Sequence, residues 1–338
     1  MSKSATILIT GVTGFIGSHL AVLALQKGYK VIGSMRKLAR ADSIRAAISK
    51  QAATDNLRFV EAELMDADAW DIATRGVDYV LHVASPFPTT LPKNDDDVVI
   101  PAREGVLNVL RAASSNGVKR VVLTSSSGAA MYGNRRQGTF TEEDWTNVNN
   151  LKDTSPYFRS KTIAEQAAWD FIKEDNSGLE LTTVLPGAVL GPLLENDPGT
   201  SAAIVLKLLD GSVPALPNIG FAMVDVRSIA DLHLLAMEAP AAAGERFLGA
   251  GDFYTFKQVA EVLRKYLPNR SFPKFTLPNF AVRLFSYVDA TLGPILIDLG
   301  SQRKADASKA KNQLGWQPLD MTQSIRDCAD SILQLELV

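Results

Sequence analysis

Short apolar runs alternate with amphipathic segments through the first half of this 338-residue chain. The apolar runs show little inward and outward alternation, which indicates strands buried on both faces. Such runs lie at residues 6–10, 30–34, 57–61, 79–83, 120–125 and 181–185. Between them, apolar positions at helical spacing predict helices at residues 16–27, 41–51, 67–75, 98–115 and 157–175. This alternation predicts a parallel sheet covered by helices on each face.

The second half of the chain has a looser pattern. Four prolines follow Gly187 at short intervals, at positions 192, 198, 214 and 217. Helical spacing returns at residues 256–266, 279–291 and 321–335. We therefore expect an α/β fold with a doubly wound parallel sheet of the Rossmann type, formed mainly by residues 1–186. Residues 187–338 are expected to form mainly a smaller C-terminal region, with some segments returning to the main sheet.

Composition and charge narrow the classes of function. The chain has 35 Lys and Arg residues against 37 Asp and Glu residues, and this balance speaks against nucleic-acid binding. No stretch approaches ~18 uninterrupted apolar residues, so no membrane span is expected. The single cysteine, Cys328, excludes an intrachain disulfide, and the acidic run at 95–97 is expected to begin a helix and not to bind a metal. We expect a soluble cytoplasmic protein, either a monomer or a homodimer.

A glycine-rich turn follows the first predicted strand. Its glycines have the spacing Gly-x-x-Gly-x-x-Gly, and the turn opens a helix within a β-α-β unit. The first glycine permits a tight turn, the second lets the backbone approach a pyrophosphate, and the third lets helix and strand pack closely. Free N–H groups at the helix start would then bind a dinucleotide. The predicted contact residues are Gly11, Thr13, Gly14, Phe15, Ile16 and Gly17.

The end of the second predicted strand distinguishes the two nicotinamide dinucleotides. An acidic residue there binds the adenosine ribose 2′-hydroxyl of NAD and repels the 2′-phosphate of NADP. This chain has Arg36 and Lys37 at that place, and Arg40 follows. Because a guanidinium can bind a phosphate in a bidentate way, the sequence predicts NADP(H) as the cofactor. A solvated basic loop is the alternative interpretation.

Two residues at helical spacing are candidates for acid–base chemistry. Tyr157 and Lys161 lie four positions apart at the start of a predicted helix, so their side chains face the same way. A nearby cation lowers the pKa of a tyrosine, which is about 10 when free, and Tyr157 would then exchange a proton with a carbonyl oxygen. Lys161 is also placed to hold the nicotinamide ribose hydroxyls. Taken alone, the pair is better explained as an exposed pair on a helix surface, and the hydroxyl side chains at the preceding strand end change this interpretation.

Hydroxyl side chains end the fifth predicted strand. Ser125, Ser126 and Ser127 come at the end of a buried run. Ligands of open α/β sheets bind outside the carboxyl ends of the strands. One of these serines is therefore expected to hold a substrate carbonyl beside Tyr157. The alternative is that they are simply polar residues at a strand end.

The glycine spacing together with the Tyr-x-x-x-Lys pair resembles the short-chain dehydrogenase/reductase superfamily, in its extended branch. Residues 83–88 and 100–110 are similar to the dihydroflavonol reductase-like group of ketone and aldehyde reductases, and the likeness covers nearly the whole chain. The resemblance implies reversible reduction of a small-molecule carbonyl by NADPH. In that reaction Tyr157 would be the proton donor, Ser126 would position the carbonyl oxygen, and Lys161 would tune Tyr157.

The same resemblance implies further binding residues. Those expected near the cofactor's adenine and nicotinamide are Glu63, Leu64, Val83, Ala84, Ser85, Pro186, Gly187 and Val189, together with Tyr157 and Lys161. Those expected to contact substrate are Phe87, Ser126, Tyr132, Tyr157 and Phe158, with Val189 and Phe221 as further lining residues.

Two rival functions share the expected fold. A sugar-nucleotide epimerase or dehydratase would use the same tyrosine and lysine. Epimerases of the branch usually have an asparagine where Pro101 stands, and dehydratases place an acid beside the catalytic serine. A dinucleotide-sensing regulatory protein would bind the cofactor without turnover, and such proteins can dispense with the Tyr157 and Lys161 that this chain has.

Overall fold

The computed structural model describes residues 5–86, 94–196, 199–287 and 295–338. The strands within these ranges are β1 (Thr6–Thr10), β2 (Lys30–Met35), β3 (Leu57–Glu61), β4 (Tyr79–His82), β5 (Arg120–Thr124), β6 (Gln137–Phe140), β7 (Glu180–Pro186), β8 (Ala188–Leu190), β9 (Gly220–Asp225), β10 (Arg246–Gly249), β11 (Phe253–Thr255) and β12 (Gln302–Ala305). The helices are α1 (Phe15–Gln26), α2 (Ala41–Ser49), α3 (Ala67–Thr74), α4 (Asp96–Ser115), α5 (Pro156–Glu174), α6 (Gly199–Leu209), α7 (Val226–Glu238), α8 (Phe256–Tyr266), α9 (Asn279–Phe285), α10 (Ser308–Leu314) and α11 (Met321–Gln334).

The main sheet has seven strands in the order β3-β2-β1-β4-β5-β7-β10, and every neighbouring pair is parallel. The predicted doubly wound α/β fold is therefore confirmed. The strand order reverses between β1 and β4, which opens a crevice outside their carboxyl ends. In folds of this kind that crevice is the ligand site.

Burial on both faces explains the continuous apolar runs. In β1, Ile7 and Ile9 belong to the core beneath α1 and α7, whereas Leu8 belongs to the opposite core beneath α3, α4 and α5. Successive side chains of a strand point to opposite faces, so both faces must be apolar when helices cover each of them.

The C-terminal half contributes to the main sheet and also builds a second layer. β10 pairs with β7 at the edge of the main sheet, and α7 packs against α1. β8, β9 and β11 form a separate 3-stranded sheet. A third apolar core packs α6, α8 and α11 against this sheet. β6 and β12 pair as a parallel ribbon, so residues far apart in sequence meet beside the main sheet.

The boundaries differ from the sequence prediction mainly in the second half. The helix predicted at 279–291 is helical over Asn279–Phe285, and residues 288–294 lie outside the described part of the chain. The sequence pattern did not predict α6, α7 or β10.

Cys328 is buried on α11, and this burial raises the pKa of its thiol to about 12, so the thiol stays protonated at neutral pH. In the ranges that the structure describes, no helix combines the length and apolar character needed to cross a bilayer.

Candidate active site

The glycine turn between β1 and α1 has the geometry of a phosphate cradle. Gly11 adopts a φ of 66°, which favours glycine, and its oxygen accepts a hydrogen bond of 3.0 Å from the Gly14 N–H. A Cβ on Gly17 would lie only 2.3 Å from the Gly11 oxygen, so this position excludes any side chain. A Cβ on exposed Gly14 would meet nothing closer than that oxygen, at 3.4 Å. The surface above Gly14 is therefore open to a ligand, as a pyrophosphate at a helix start requires.

The adjoining loops place the other predicted nucleotide contacts at the same edge of the sheet. Arg36 and Lys37 directly follow β2, and both are exposed. Arg40 forms an ion pair with Glu195 of the C-terminal half. After β3, Glu63 is exposed and the half-buried Leu64 lies against α4. The residues present therefore fit a phosphorylated dinucleotide lying across the ends of β1, β2 and β3.

Thr10, which the sequence analysis did not single out, holds the predicted residues after β4 in place. Its hydroxyl oxygen accepts hydrogen bonds from the Val83 N–H at 3.0 Å and from the Ala84 N–H at 2.9 Å. Its own proton is then donated to Nδ1 of His82, 2.9 Å away, which leaves the proton of the imidazole on Nε2. Burial lowers the pKa of His82 to about 3, with a further contribution from the charge of Lys161, so the ring stays neutral.

The serine turn after β5 separates the three candidate hydroxyls. The Ser126 oxygen accepts from the Gly128 N–H at 3.0 Å, and the Ser126 hydroxyl is hydrogen-bonded to Tyr157. Ser125 instead donates to the buried Glu165 carboxylate at 2.5 Å. Ser127 is half-buried on the following turn. The geometry therefore joins Ser126, and not Ser125, to the candidate proton donor.

Tyr157 and Lys161 lie on the first turns of α5, which Ser155 caps by accepting from the Phe158 N–H at 3.2 Å. Burial raises the pKa of Tyr157 to about 12, and the hydrogen bond from Ser126 opposes this shift. The expected lowering of this pKa is therefore wrong for this structure. Desolvation of the phenol outweighs the hydrogen bond, and the Lys161 ammonium donates instead to the Thr124 carbonyl at 3.1 Å.

Burial also lowers the pKa of Lys161 to about 8, and the negative charge of Glu165 opposes this effect. The lysine is therefore mostly an ammonium at neutral pH. Its nitrogen contacts the main-chain carbonyl of Thr124, the residue directly before Ser125 and Ser126. The arrangement provides a protonated phenol, an oriented hydroxyl and a buried cation at the end of one strand.

The residues predicted to contact substrate differ in their exposure. Tyr132 is buried, its ring stacks on Phe158 at 3.9 Å between centroids, and its hydroxyl donates to Asp298 at 2.8 Å. It lies in the interior beneath the half-buried Phe158 and does not form an open surface. Phe221 is half-buried against Phe256 of α8. Phe87 lies outside the described residues.

The loop after β7 connects the main sheet to the second sheet. Pro186 is buried, and the Gly187 N–H donates to the Gly249 carbonyl at 3.1 Å. A Cβ on Gly187 would lie 2.3 Å from the Ala222 oxygen, which makes glycine necessary for this close approach. Val189 is buried in the core shared by α1 and α7. Val189 therefore packs within the protein, and the role of Gly187 at the nicotinamide stays a prediction.

Comparison with known proteins places the chain in a family. A profile of the NAD dependent epimerase/dehydratase family matches residues 7–248. The chain belongs to this family. The match runs from β1 into β10, so it covers the glycine turn, the serine turn and the Tyr157–Lys161 pair.

Within the family, the chain is most informatively compared with reductases. It is 34% identical over 277 residues to cinnamoyl-CoA reductase CAD2 of Medicago truncatula, covering 79% of this chain and 82% of that protein. It is 32% identical over 279 residues to dihydroflavonol 4-reductase of Zea mays, covering 81% and 77%. The structure of yeast methylglyoxal/isovaleraldehyde reductase Gre2 with NADPH matches at a TM-score of 0.82 and 27% identity, over 98% and 99% of the two chains. The resemblance to the dihydroflavonol reductase-like group is thereby confirmed, and these relatives support an oxidoreductase.

Proposed function

We propose that this protein reduces a ketone or aldehyde to an alcohol with NADPH, reversibly, and that Ser126, Tyr157 and Lys161 form its catalytic site. The observation that carries the proposal is the hydrogen bond between Ser126 and Tyr157 at the carboxyl end of β5, with the buried Lys161 one helical turn further along α5. This end of β5 borders the crevice that opens where the strand order reverses.

The edge of the sheet provides the binding groups that a phosphorylated dinucleotide needs. The free N–H groups at the start of α1 would hold the pyrophosphate above Gly14, and the exposed Arg36 and Lys37 would hold the 2′-phosphate. Glu63 and Leu64 would lie along the adenine, and residues 83–85 together with Pro186 and Gly187 would border the nicotinamide. When bound there, NADPH supplies the hydride that the carbonyl carbon receives.

Tyr157 is suited to donate the accompanying proton. Because its pKa lies at about 12, the phenol is protonated at neutral pH and can give its proton to the substrate oxygen as negative charge develops there. Ser126, oriented by the Gly128 N–H, donates a hydrogen bond that favours the resulting phenolate. The Lys161 ammonium, bonded to the Thr124 carbonyl, would add a positive charge beneath the same strand end. In the reverse direction the phenolate would take the proton of an alcohol.

The substrate pocket is proposed to lie between the strand ends and the C-terminal half. The half-buried Phe158 lies beside Tyr157, with the buried Tyr132 stacked beneath it, and the half-buried Phe221 on β9 is proposed to line the other side. The rings of Phe158 and Phe221 would favour a carbonyl compound with an apolar or aromatic body. Residues 187–338 would then set substrate preference, whereas residues 1–186 would mainly hold the cofactor.

The test is oxidation of NADPH and NADH followed at 340 nm against aryl ketones, α-keto esters, aliphatic and aryl aldehydes and a dihydroflavonol. We expect NADPH to be consumed with at least one of these classes and NADH to be consumed far more slowly. Absence of turnover with every class, together with a dinucleotide released only on denaturation, would contradict the proposal and favour an epimerase. Absence of turnover with reversible dinucleotide binding would favour a sensor.

A further inference from the structure

A fully buried carboxylate lies beneath the catalytic turn. Glu165 is on α5, one helical turn beyond Lys161, and only 1% of its surface is exposed. Its oxygens accept hydrogen bonds from Ser125 Oγ at 2.5 Å, Thr183 Oγ1 at 2.8 Å, Arg246 Nε at 2.8 Å and Trp169 Nε1 at 3.3 Å. Side chains from the end of β5, from β7 and from β10 therefore converge on one group of α5.

Stability alone does not account for this cluster. A buried ion pair is costly to desolvate, and well-packed apolar residues are often as stabilising. A buried polar network in which each group is satisfied does, however, fix a unique geometry. The geometry fixed here is that of the catalytic turn, because Ser125 immediately precedes Ser126.

The helix holds the turn at two successive residues. The Thr124 carbonyl accepts from Lys161 Nζ at 3.1 Å, and the Ser125 hydroxyl donates to Glu165. Both contacts come from α5, the helix that also carries Tyr157. The relative position of Ser126 and Tyr157 therefore depends on Lys161 and Glu165 together.

Two opposing influences act on the protonation of Lys161. Burial favours its neutral amine, and Glu165 is the nearby group whose charge favours the ammonium. The other titratable groups that face this place are His82 from β4, which is neutral, Arg246 from β10, and His233 from α7, whose Nε2 accepts from the Thr124 hydroxyl at 2.7 Å. Burial lowers the pKa of His233 to about 4, so this ring is also neutral.

We propose that Glu165 is a positioning residue for the reaction, which holds the turn that carries Ser126 and keeps Lys161 in its ammonium form. This inference rests on the proposed function. Arg246 anchors the carboxylate through Nε and also donates to the carbonyls of Glu142 and Asp144. The C-terminal half therefore supports the catalytic turn through the buried Arg246, in addition to the contact between His233 and Thr124.

The test compares Glu165→Gln with Glu165→Asp and with a matched control, Glu180→Gln. Glu180 pairs with the buried Arg120 at 2.6 Å, but at the amino end of β7, away from the site. Two quantities are measured against pH: kcat/KM for NADPH-dependent reduction, and the Kd for NADPH from nicotinamide fluorescence. The Kd for NADPH can be measured without turnover. It should depend on Lys161, because this side chain is proposed to hold the nicotinamide ribose.

For the native protein, both quantities should worsen as pH rises through about 8, because the ammonium of Lys161 is lost there. In Glu165→Gln the loss should begin at lower pH, and kcat should fall about 10- to 100-fold because Ser126 is misplaced. Glu165→Asp keeps the charge, so its pH limb should stay near that of the native protein even if kcat falls. Glu180→Gln should match the native protein in both quantities.

An unmoved pH limb in Glu165→Gln, in a protein whose circular dichroism is native, would overturn the inference, and so would the same shift in Glu180→Gln. If Glu165→Gln does not fold, the combined change Glu165→Gln and Arg246→Gln removes both buried charges and should give the same downward shift. If no carbonyl is reduced by the native protein, the proposed function fails. The pH profile of NADPH binding then still decides the charge role of Glu165.

Discussion

The two halves of the sheet edge differ in how far their side chains are exposed. One half, here called the nucleotide end, consists of residues 10–17, 34–40 and 61–64 after β1, β2 and β3. The other, the catalytic end, consists of residues 82–86 and 124–129 with the first turns of α5. At the nucleotide end, Gly14, Arg36, Lys37 and Glu63 are exposed. At the catalytic end, Ser125, Ser126 and Lys161 are buried and hydrogen-bonded within the protein.

This difference indicates which property of a residue matters at each end. The nucleotide end offers backbone N–H groups and unshielded charges, so substitutions there should change affinity. At the catalytic end the surroundings set the protonation state of each group. Burial raises the pKa of Tyr157 and so keeps it as the proton-donating phenol at neutral pH. Burial also lowers the pKa of Lys161 toward the neutral amine, and the charge of Glu165 opposes this shift.

Tyr157→Phe should have the largest effect, and this effect should be confined to the catalytic end. Loss of the proton donor should lower kcat about 10²- to 10⁴-fold, because general acid catalysis contributes on that order. The Kd for NADPH should change little, since the nucleotide end is untouched. Steady-state rates at 340 nm and fluorescence titration measure the two quantities. Tyr266→Phe, which removes a surface hydroxyl bonded to Asp330, should behave like the native protein. Equal loss in both variants would contradict the assignment.

Ser126→Ala should have the next largest effect. Removal of the hydroxyl that bonds to Tyr157 should lower kcat about 10²-fold, with little change in NADPH affinity. The matched control is Ser127→Ala, which should keep the native rate within about twofold. A larger loss in Ser127→Ala than in Ser126→Ala would show that the catalytic hydroxyl has been chosen wrongly.

Low pH should lower the stability of the folded protein through its buried neutral histidines, one of which, His82, belongs to the catalytic end. Burial lowers the pKa of His82 to about 3 and those of His19 and His233 to about 4. The unfolded chain therefore takes up protons first, so the stability from neutral histidines is full above pH ~6.5 and falls as pH drops toward ~4. Asp298, whose pKa burial raises to about 6, opposes this trend as a single group.

The measurement is urea unfolding at pH 7 and pH 5 for the native protein and for His233→Gln. The variant should lose about 2 kcal/mol less stability over this interval, since one buried titrating ring is gone. Parallel losses in the two proteins would show that His233 does not remain neutral in the folded state.

The smallest expected effect is at the nucleotide end. Arg36→Ser together with Lys37→Ser should raise the Kd for NADPH about tenfold and leave that for NADH nearly unchanged, because only NADPH carries the 2′-phosphate. Exposed Arg58→Ser on β3 is the matched control for lost surface charge and should leave both constants unchanged. An equal loss of NADH affinity would mean that the two cations serve the fold or the adenine instead.

The first half of the fold was predictable because its signals are local. The bounds of β1 and β3 agree with the sequence pattern, and α3 and α5 agree within one residue at each end. In the second half, β10 and α7 were missed because their place is fixed by contacts with distant residues: β10 pairs with β7, and α7 packs against α1. The short strands β8, β9 and β11 likewise gain their partners only across long separations.

The sequence by itself determined the parallel sheet, the glycine turn and the Tyr157–Lys161 pair. Each follows from spacing along a few residues and from the handedness of strand and helix. Only the tertiary structure decided that Ser126 is the hydroxyl at Tyr157, that Tyr132 lies in the interior, and that Glu165 and Arg246 meet beneath the catalytic turn. The reason is that burial and charge depend on what folding brings together, and Glu165 and Arg246 are 81 residues apart in the chain.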